Sequence, residues 1–125
     1  MILKTLLNLL IFIYRYWMKS LINISDLSLR DLTQIFEYSK SLKNSFSDDL
    51  NKKNIGLIFE KSSTRTRLSF QVAINHLGGN HIDIRYEELN LSRIESIQDT
   101  YKMFNLYLDA IVLRTTSHAK FEVLK

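Results

Sequence analysis

The residues best suited to chemistry lie in one run, Phe59-Glu60-Lys61-Ser62-Ser63-Thr64-Arg65-Thr66-Arg67. Three consecutive hydroxyl residues and two arginines stand directly between an apolar stretch, Asn54 to Phe59, and a helical pattern that begins at Arg65. A strand running into a helix in this way makes an anion cradle. The first backbone N–H groups of the helix have no partner within it, the helix dipole attracts negative charge, and the hydroxyls donate to phosphate oxygens. Arg65 adds a planar, bidentate fork that lysine cannot reproduce. Arg114 closes a second apolar run, Asp109 to Leu113, and is expected on the same edge of a sheet, within reach of another oxygen of the same ligand. A simpler reading makes Ser62 or Ser63 an N-cap and Arg67 the partner of a surface carboxylate. The position of the whole run between a buried strand and a helix favours the phosphate site.

Several elements must hold these residues. Ser28-Leu29-Arg30-Asp31 has the form of a helix start, with the Ser28 hydroxyl accepting a backbone N–H and Asp31 complementing the positive helix end. Leu32, Ile35, Phe36, Ser39 and Leu42 continue it as an amphipathic stripe ending near Lys43-Asn44. Asn54 to Phe59 is apolar without alternation, as suits a strand buried on both faces. Arg65 to Leu77 is a second helix, with Leu68, Val72, Ala73 and Leu77 expected inward and Gly78-Gly79 as its stop. His81 to Ile84 supplies a second strand, and Glu87 to Glu95 is irregular. Ser96-Ile97-Gln98-Asp99 opens a third helix with the stripe Ile97, Tyr101, Phe104 and Leu108. Asp109 to Leu113 is a third buried strand. The alternation predicts an α/β fold, a parallel sheet with flanking helices and right-handed crossovers. Ligands bind such sheets beyond the carboxyl ends of the strands, where two of the three ends carry informative residues.

Composition narrows the function further. The chain has 125 residues, 17 Lys and Arg against 13 Asp and Glu, no cysteine, no proline and three glycines. That length suits a single domain. Without cysteine there is no disulfide framework, thiolate zinc site or cysteine nucleophile, and only three histidines remain for a metal. A net charge of +4, with acidic residues interleaved among the basic ones, is too small to argue for nucleic acid. Residues 1 to 17, MILKTLLNLLIFIYRYW, are mostly apolar, but the run from Leu6 to Tyr14 is less than half of the about 20 residues that span a bilayer. No small-residue cleavage site follows it. It reads as an extension unrelated to the fold, with Met18 a second possible start; the competing reading is a peripheral helix on a partner or membrane surface.

The chain resembles the transcarbamoylase family, in which an S-T-R-T-R motif after the first sheet strand grips the phosphate of carbamoyl phosphate. Two further segments carry the resemblance: Glu95-Ser96-Ile97-Gln98-Asp99-Thr100 looks like the family's E-S-x-x-D-T helix start, and Asp109-Ala110-Ile111-Val112-Leu113-Arg114 looks like its D-A-I-x-x-R strand. Phe-Glu-Lys before the motif and Glu-Ser rather than Glu-Thr resemble ornithine carbamoyltransferases more than aspartate carbamoyltransferases. The resemblance implies an N-terminal carbamoyl phosphate-binding domain at residues 20 to 125, preceded by an apolar extension at 1 to 19. It implies Ser63, Thr64, Arg65 and Thr66 as phosphate ligands, Arg114 as a further ligand of carbamoyl phosphate, and Arg65 and Arg114 as the catalytic pair. Transfer to the side-chain amine of ornithine, in cytoplasmic arginine biosynthesis, needs neither metal nor organic cofactor. Catalysis would rest on positioning and charge stabilisation.

The family pattern is not met everywhere. Ser92 stands where the family's inter-subunit loop has glycine, and Ile94 where Lys or Asn is usual, so the loop's contribution to a neighbouring subunit of a trimer is not carried over. The family's H-P-x-Q histidine and its amino-acid-binding domain have no counterpart up to Lys125. His118, His76 and His81 read as surface residues. The leading expectation is a truncated carbamoyltransferase, inactive alone and functioning, if at all, in a homotrimer or with a separately encoded C-terminal half. The alternatives are a non-catalytic phosphate-binding or interaction module and an aspartate carbamoyltransferase remnant.

Overall fold

A computed structural model describes residues 20–42, 46–89 and 97–117. The readings made above for residues 1 to 17, for the helix end at Lys43-Asn44, for Ser92 to Ser96 and for His118 lie outside the described residues. Three helices and three strands follow in chain order: α1 (Leu29–Ser41), β1 (Asn54–Phe59), α2 (Thr64–His76), β2 (Asn80–Arg85), α3 (Ile97–Tyr107) and β3 (Ala110–Arg114). Short 3-10 turns at Ile24–Asp26 and Tyr86–Leu89 precede α1 and follow β2; the second occupies the start of the segment expected to be irregular. Among the described residues no helix is long and apolar enough to cross a membrane.

The strands form a parallel sheet in the order β2-β1-β3. β1 is therefore central, and its residues Ile55 to Phe59 are all buried, as a continuous apolar run requires. Leu57 and Ile58 have no exposed surface, yet they point to opposite faces. On one face, Ile55, Leu57 and Phe59 pack with Leu50, with Phe70, Ala73 and Ile74 of α2 and with Leu77 just after it, while Tyr38 and Leu42 extend the cluster to α1 and the residue beyond it. On the other, Ile58 joins Leu89 and Phe104, with Tyr101 and Leu108 of the α3 side packed around them. The sheet is thus sandwiched between helices, each fully buried Leu, Ile or Phe contributing about 1.5–3 kcal/mol. β3 is only half-buried, because among the described residues it has one neighbouring strand in place of two.

Two helix faces depart from the expected ones. In α2, Leu68 and Val72 are 56% and 41% exposed, whereas Ser69, Phe70, Ala73 and Ile74 are buried. The apolar stripe was misplaced because a serine sits inside it: Ser69 Oγ donates to the Arg65 carbonyl at 2.5 Å, so the hydroxyl enters the core with its hydrogen bond satisfied within the helix. In α1, Ile35 is buried but Phe36 is 52% exposed. The start of α1 does follow the expected capping box: Ser28 Oγ accepts from Asp31 N at 3.2 Å and Asp31 Oδ2 accepts from Ser28 N at 2.9 Å. The Ser28 hydroxyl, which also donates to Asp31 Oδ2 at 2.6 Å, and then the Ser28 amide hold the Asp31 carboxyl below the usual carboxylate range.

The α2–β2 turn is set by its glycines. Gly78 has φ of 75°, a left-handed conformation that glycine adopts without penalty. Gly79 is crowded, and a Cβ there would lie 2.9 Å from Leu50 Cβ and 3.0 Å from Ile74 Cγ2. The segment before β1 is sewn to this turn by bonds from Ser47 N to His76 O, Leu50 N to Leu77 O and Asn80 N to Lys53 O. At the same end of the sheet, Asp109 accepts from Asn54 N and Lys53 Nζ, both at 2.9 Å, which holds its carboxyl below the usual range.

Two outcomes are expected. A Gly79→Ala substitution pushes α2 away from Leu50 and lowers unfolding stability by about 1–3 kcal/mol, read from urea denaturation. The Asp109 carboxyl binds its proton less readily folded than unfolded, so its contribution is complete at neutral pH and disappears as pH falls below about 4 through the folded value. Stability should therefore fall more steeply between about pH 5 and 3 in the parent chain than in an Asp109→Asn variant. Equal slopes would mean that the Asn54 and Lys53 bonds do not favour the carboxylate.

Candidate functional site

The carboxyl ends of the three strands are level. Phe59 pairs with Arg85 on one side and Arg114 on the other, so the cross-strand row Arg85-Phe59-Arg114 faces the same side of the sheet as α2. β1 leads to β2 on its left and the chain then returns across to β3 on its right, which makes the β1–β3 exit the point where the winding reverses. In open α/β sheets ligands settle beyond the strands at such a point. The run from Glu60 to Arg67 leaves β1 at this place.

α2 begins at Thr64 with Ser63 in the N-cap position. The first helical bond runs from Arg67 N to Ser63 O at 2.9 Å, so the preceding amides of the first turn point out of the helix end. Ser63 is the cap by position only. Its side chain makes no capping bond to the backbone and donates to Thr66 Oγ1 at 2.9 Å. Two hydroxyls and the first-turn amides are thus gathered at the positive end of α2, where an incoming anion would meet donors and no backbone cap would have to be displaced.

A cleft of about 410 Å³ opens beside this helix end. Ser62, Ser63 and Thr64 line it, with Arg67 and Gln71 from α2 and Arg85 from β2. Thr66 is half-buried next to it and bonded to Ser63. Arg65 and Arg114 are exposed and do not line it. The sequence-derived ligand set therefore divides: the hydroxyl residues converge, while the two arginines stand around the strand ends with their side chains toward solvent.

Arg67 does what the simpler reading expected of it and also borders the cleft. Its Nε lies 3.9 Å from Asp83 Oδ1, and its guanidinium sits 5.2 Å from the centroid of the Phe59 ring. Gln71 Nε2 donates to the other Asp83 oxygen at 2.6 Å. Asp83 therefore ties α2 to β2 along one wall. His76 is exposed as expected and packs edge-on against Phe46; His81 is half-buried beside Asn75 Oδ1.

Two residues at the strand ends were not singled out from the sequence. Arg85 brings a cation to the third strand end; the expected strand stopped one residue earlier, at Ile84, and an arginine directly after it was the available signal. Glu60 crosses from the end of β1 to the end of β3. Its Oε2 accepts from Thr115 Oγ1 at 2.5 Å, Thr116 N at 2.9 Å and Thr116 Oγ1 at 3.2 Å. No local pattern announces this, since the partners are 55 and 56 residues away.

Comparison with known proteins gives this geometry a lineage. Residues 19–125 match the family model described as aspartate/ornithine carbamoyltransferase, carbamoyl-P binding domain. The chain is 41% identical over 105 residues to an ornithine carbamoyltransferase of Prochlorococcus marinus, covering 83% of this chain and 34% of that protein. It is 39% identical over 107 residues to the Bacillus subtilis enzyme of the same name, covering 85% and 34%. Among solved structures, the anabolic ornithine carbamoyltransferase of Campylobacter jejuni superposes with a TM-score of 0.77 at 30% identity over 84% of this chain and 35% of that one. The Pyrococcus furiosus enzyme gives 0.71 at 32% identity, covering 85% and 36%. Aspartate transcarbamoylase from Trypanosoma cruzi shares the fold, with a TM-score of 0.61 at 22% identity. The chain spans about a third of the length of the curated relatives it matches. With a parallel sheet of the same architecture and a family match over nearly its whole length, this chain belongs to the aspartate/ornithine carbamoyltransferase family, in the part that corresponds to its carbamoyl-P binding domain.

Proposed function

We propose that the cleft at the exit of β1 binds carbamoyl phosphate. The observation that carries this reading is the first turn of α2, where Ser63, Thr64 and Thr66 and the leading amides are gathered at the helix's positive end with no side-chain cap on the backbone. The phosphate sits on this turn. Arg65, exposed at the same turn, closes over it with a bidentate contact, and Arg114 reaches the ligand from the end of β3. Residues 20 to 125 form the binding domain and residues 1 to 19 are an extension outside it.

In the complete catalytic assembly, the side-chain amine of ornithine attacks the carbamoyl carbon, a C–N bond forms, the C–O bond to phosphate breaks, and the amine proton leaves with the products. Ornithine is favoured as the acceptor by the names of the relatives. The groups of this chain supply what the leaving phosphate needs: cations and N–H or O–H donors placed where charge accumulates. The amino acid is held elsewhere, by a second domain that is either part of a longer chain or separately encoded. The working unit is a homotrimer in the cytoplasm.

Titration calorimetry on the 125-residue chain tests this. Carbamoyl phosphate is expected to bind and to raise the unfolding midpoint, and Arg65→Ala to weaken binding about 10- to 100-fold, the value of one charged hydrogen-bonded contact. Unchanged affinity in that variant would defeat the assignment. Supplied with ornithine and carbamoyl phosphate, the same polypeptide is expected to form no carbamoylated ornithine, because groups that act together to position two substrates give little rate when half are missing. Measurable turnover would show that these residues suffice.

A further inference from the structure

We propose that Glu60 is a positioning residue, whose carboxylate locks the exit of β3 to the exit of β1 and so fixes the backbone from which Arg114 would reach a phosphate held at the hydroxyl cluster of α2. The inference rests on the phosphate-site reading and adds to it the device that joins the two halves of the site. Glu60 is the first residue after β1, directly ahead of the run that forms the cradle. Its backbone N–H donates to the Arg114 carbonyl at 2.9 Å, continuing the β1–β3 ladder one step past the strand. Its side chain then reaches the next two residues, Oε2 taking the Thr115 hydroxyl and both the amide and the hydroxyl of Thr116. Arg114 is held on its own carbonyl and on both residues that follow it, all by one amino acid just past the neighbouring strand. Hydrogen bonds to an ionised acceptor are about twice as strong as neutral ones, and three of them converge on one oxygen.

A carboxylate here is otherwise hard to account for. Glu60 also lines the cleft proposed to receive a dianion, as Glu87 does from the turn after β2. A bystander carboxylate would repel that ligand, and evolution has uncharged residues that fit the end of a strand equally well. The two roles differ in sign. If Glu60 is only a nearby negative charge, or if it occupies donors that the ligand needs, neutralising it tightens phosphate binding. If it positions Arg114, removing it weakens binding despite the lost repulsion.

The test measures binding of carbamoyl phosphate and of inorganic phosphate to the full chain by calorimetry, in the parent and in Glu60→Ala, Glu60→Gln and Thr115→Val variants, each also combined with Arg114→Ala. Glu60→Ala is expected to weaken binding about tenfold. Glu60→Gln, which keeps an acceptor oxygen but loses the charge, should fall between it and the parent. In the Arg114→Ala background the Glu60→Ala change should have almost no further effect, because a group that acts through Arg114 has nothing left to position. A merely structural role would produce the same loss in both backgrounds. If Glu60→Ala abolishes the cooperative thermal transition, Thr115→Val answers the same question from the other side of the bond, with a loss that again vanishes when Arg114 is absent. Unchanged or tighter binding in the Glu60 and Thr115 variants, or losses that add fully to that of Arg114→Ala, overturns the proposal. Should the parent chain bind neither compound, the phosphate-site reading fails and this inference with it. Should the parent bind and Arg65→Ala lose binding while Glu60→Ala does not, only the role of Glu60 is refuted.

Discussion

Everything described here takes its place from a six-residue strand that has water on neither face and a parallel partner on each side. β1 cannot satisfy its backbone groups except through both ladders, and it cannot bury Ile55, Leu57 and Ile58 except by bringing helices to both faces of the sheet. That double requirement fixes the order β2-β1-β3 and makes the centre of the sheet the place where the chain turns back on itself. The candidate site is a consequence of this arrangement. The reversal leaves the loop after β1 without a covering connection, and the loop is where the hydroxyl residues and arginines are found.

Each end of the β1–β3 pair is closed by a carboxylate. Asp109 binds Asn54 N and Lys53 at the amino-terminal end, and Glu60 binds Thr115 and Thr116 at the carboxyl-terminal end. In both cases an ionised side chain accepts the backbone N–H of the neighbouring strand, or of the loop leaving it, at a point where the regular ladder has run out. The two strands are thereby kept in register beyond the length of their shared hydrogen bonds. Asp83 plays a comparable part between α2 and β2, receiving Arg67 and Gln71. The framework of the site is therefore polar and specific at its margins, and apolar only in the middle.

Much of this was legible in the sequence, for reasons that differ from element to element. β1 could be read because a strand buried on both faces leaves an unbroken apolar run, and α1 could be read because Ser28 and Asp31 form a reciprocal cap within four residues. The site's location followed from residue types at a strand–helix junction. The inward face of α2 could not be read, because Ser69 conceals its hydroxyl in a bond to Arg65 O and so occupies a core position that hydropathy assigns to Leu68 or Val72. Glu60 could not be read either. Its meaning depends on which strand lies beside β1, and that is decided by the crossover of the whole chain. Arg85 falls between these cases, since its place directly after the expected strand was visible but its participation in the cleft depends on the register of β2 against Phe59.

The half-buried character of β3 has a material consequence. The two outer strands of the sheet differ in how they discourage further pairing. β2 carries Asp83 and Arg85, and charges on an edge strand oppose the addition of a foreign strand. β3 reads Ala-Ile-Val-Leu before its single arginine, with β-branched residues and no charge along the part that would have to be solvated. Among the described residues the one charge within β3 is that of Arg114, so concentrated solutions of this polypeptide would begin to associate along the β3 side if nothing else covers it. The cation at the strand end then carries a colloidal burden besides the binding role proposed for it.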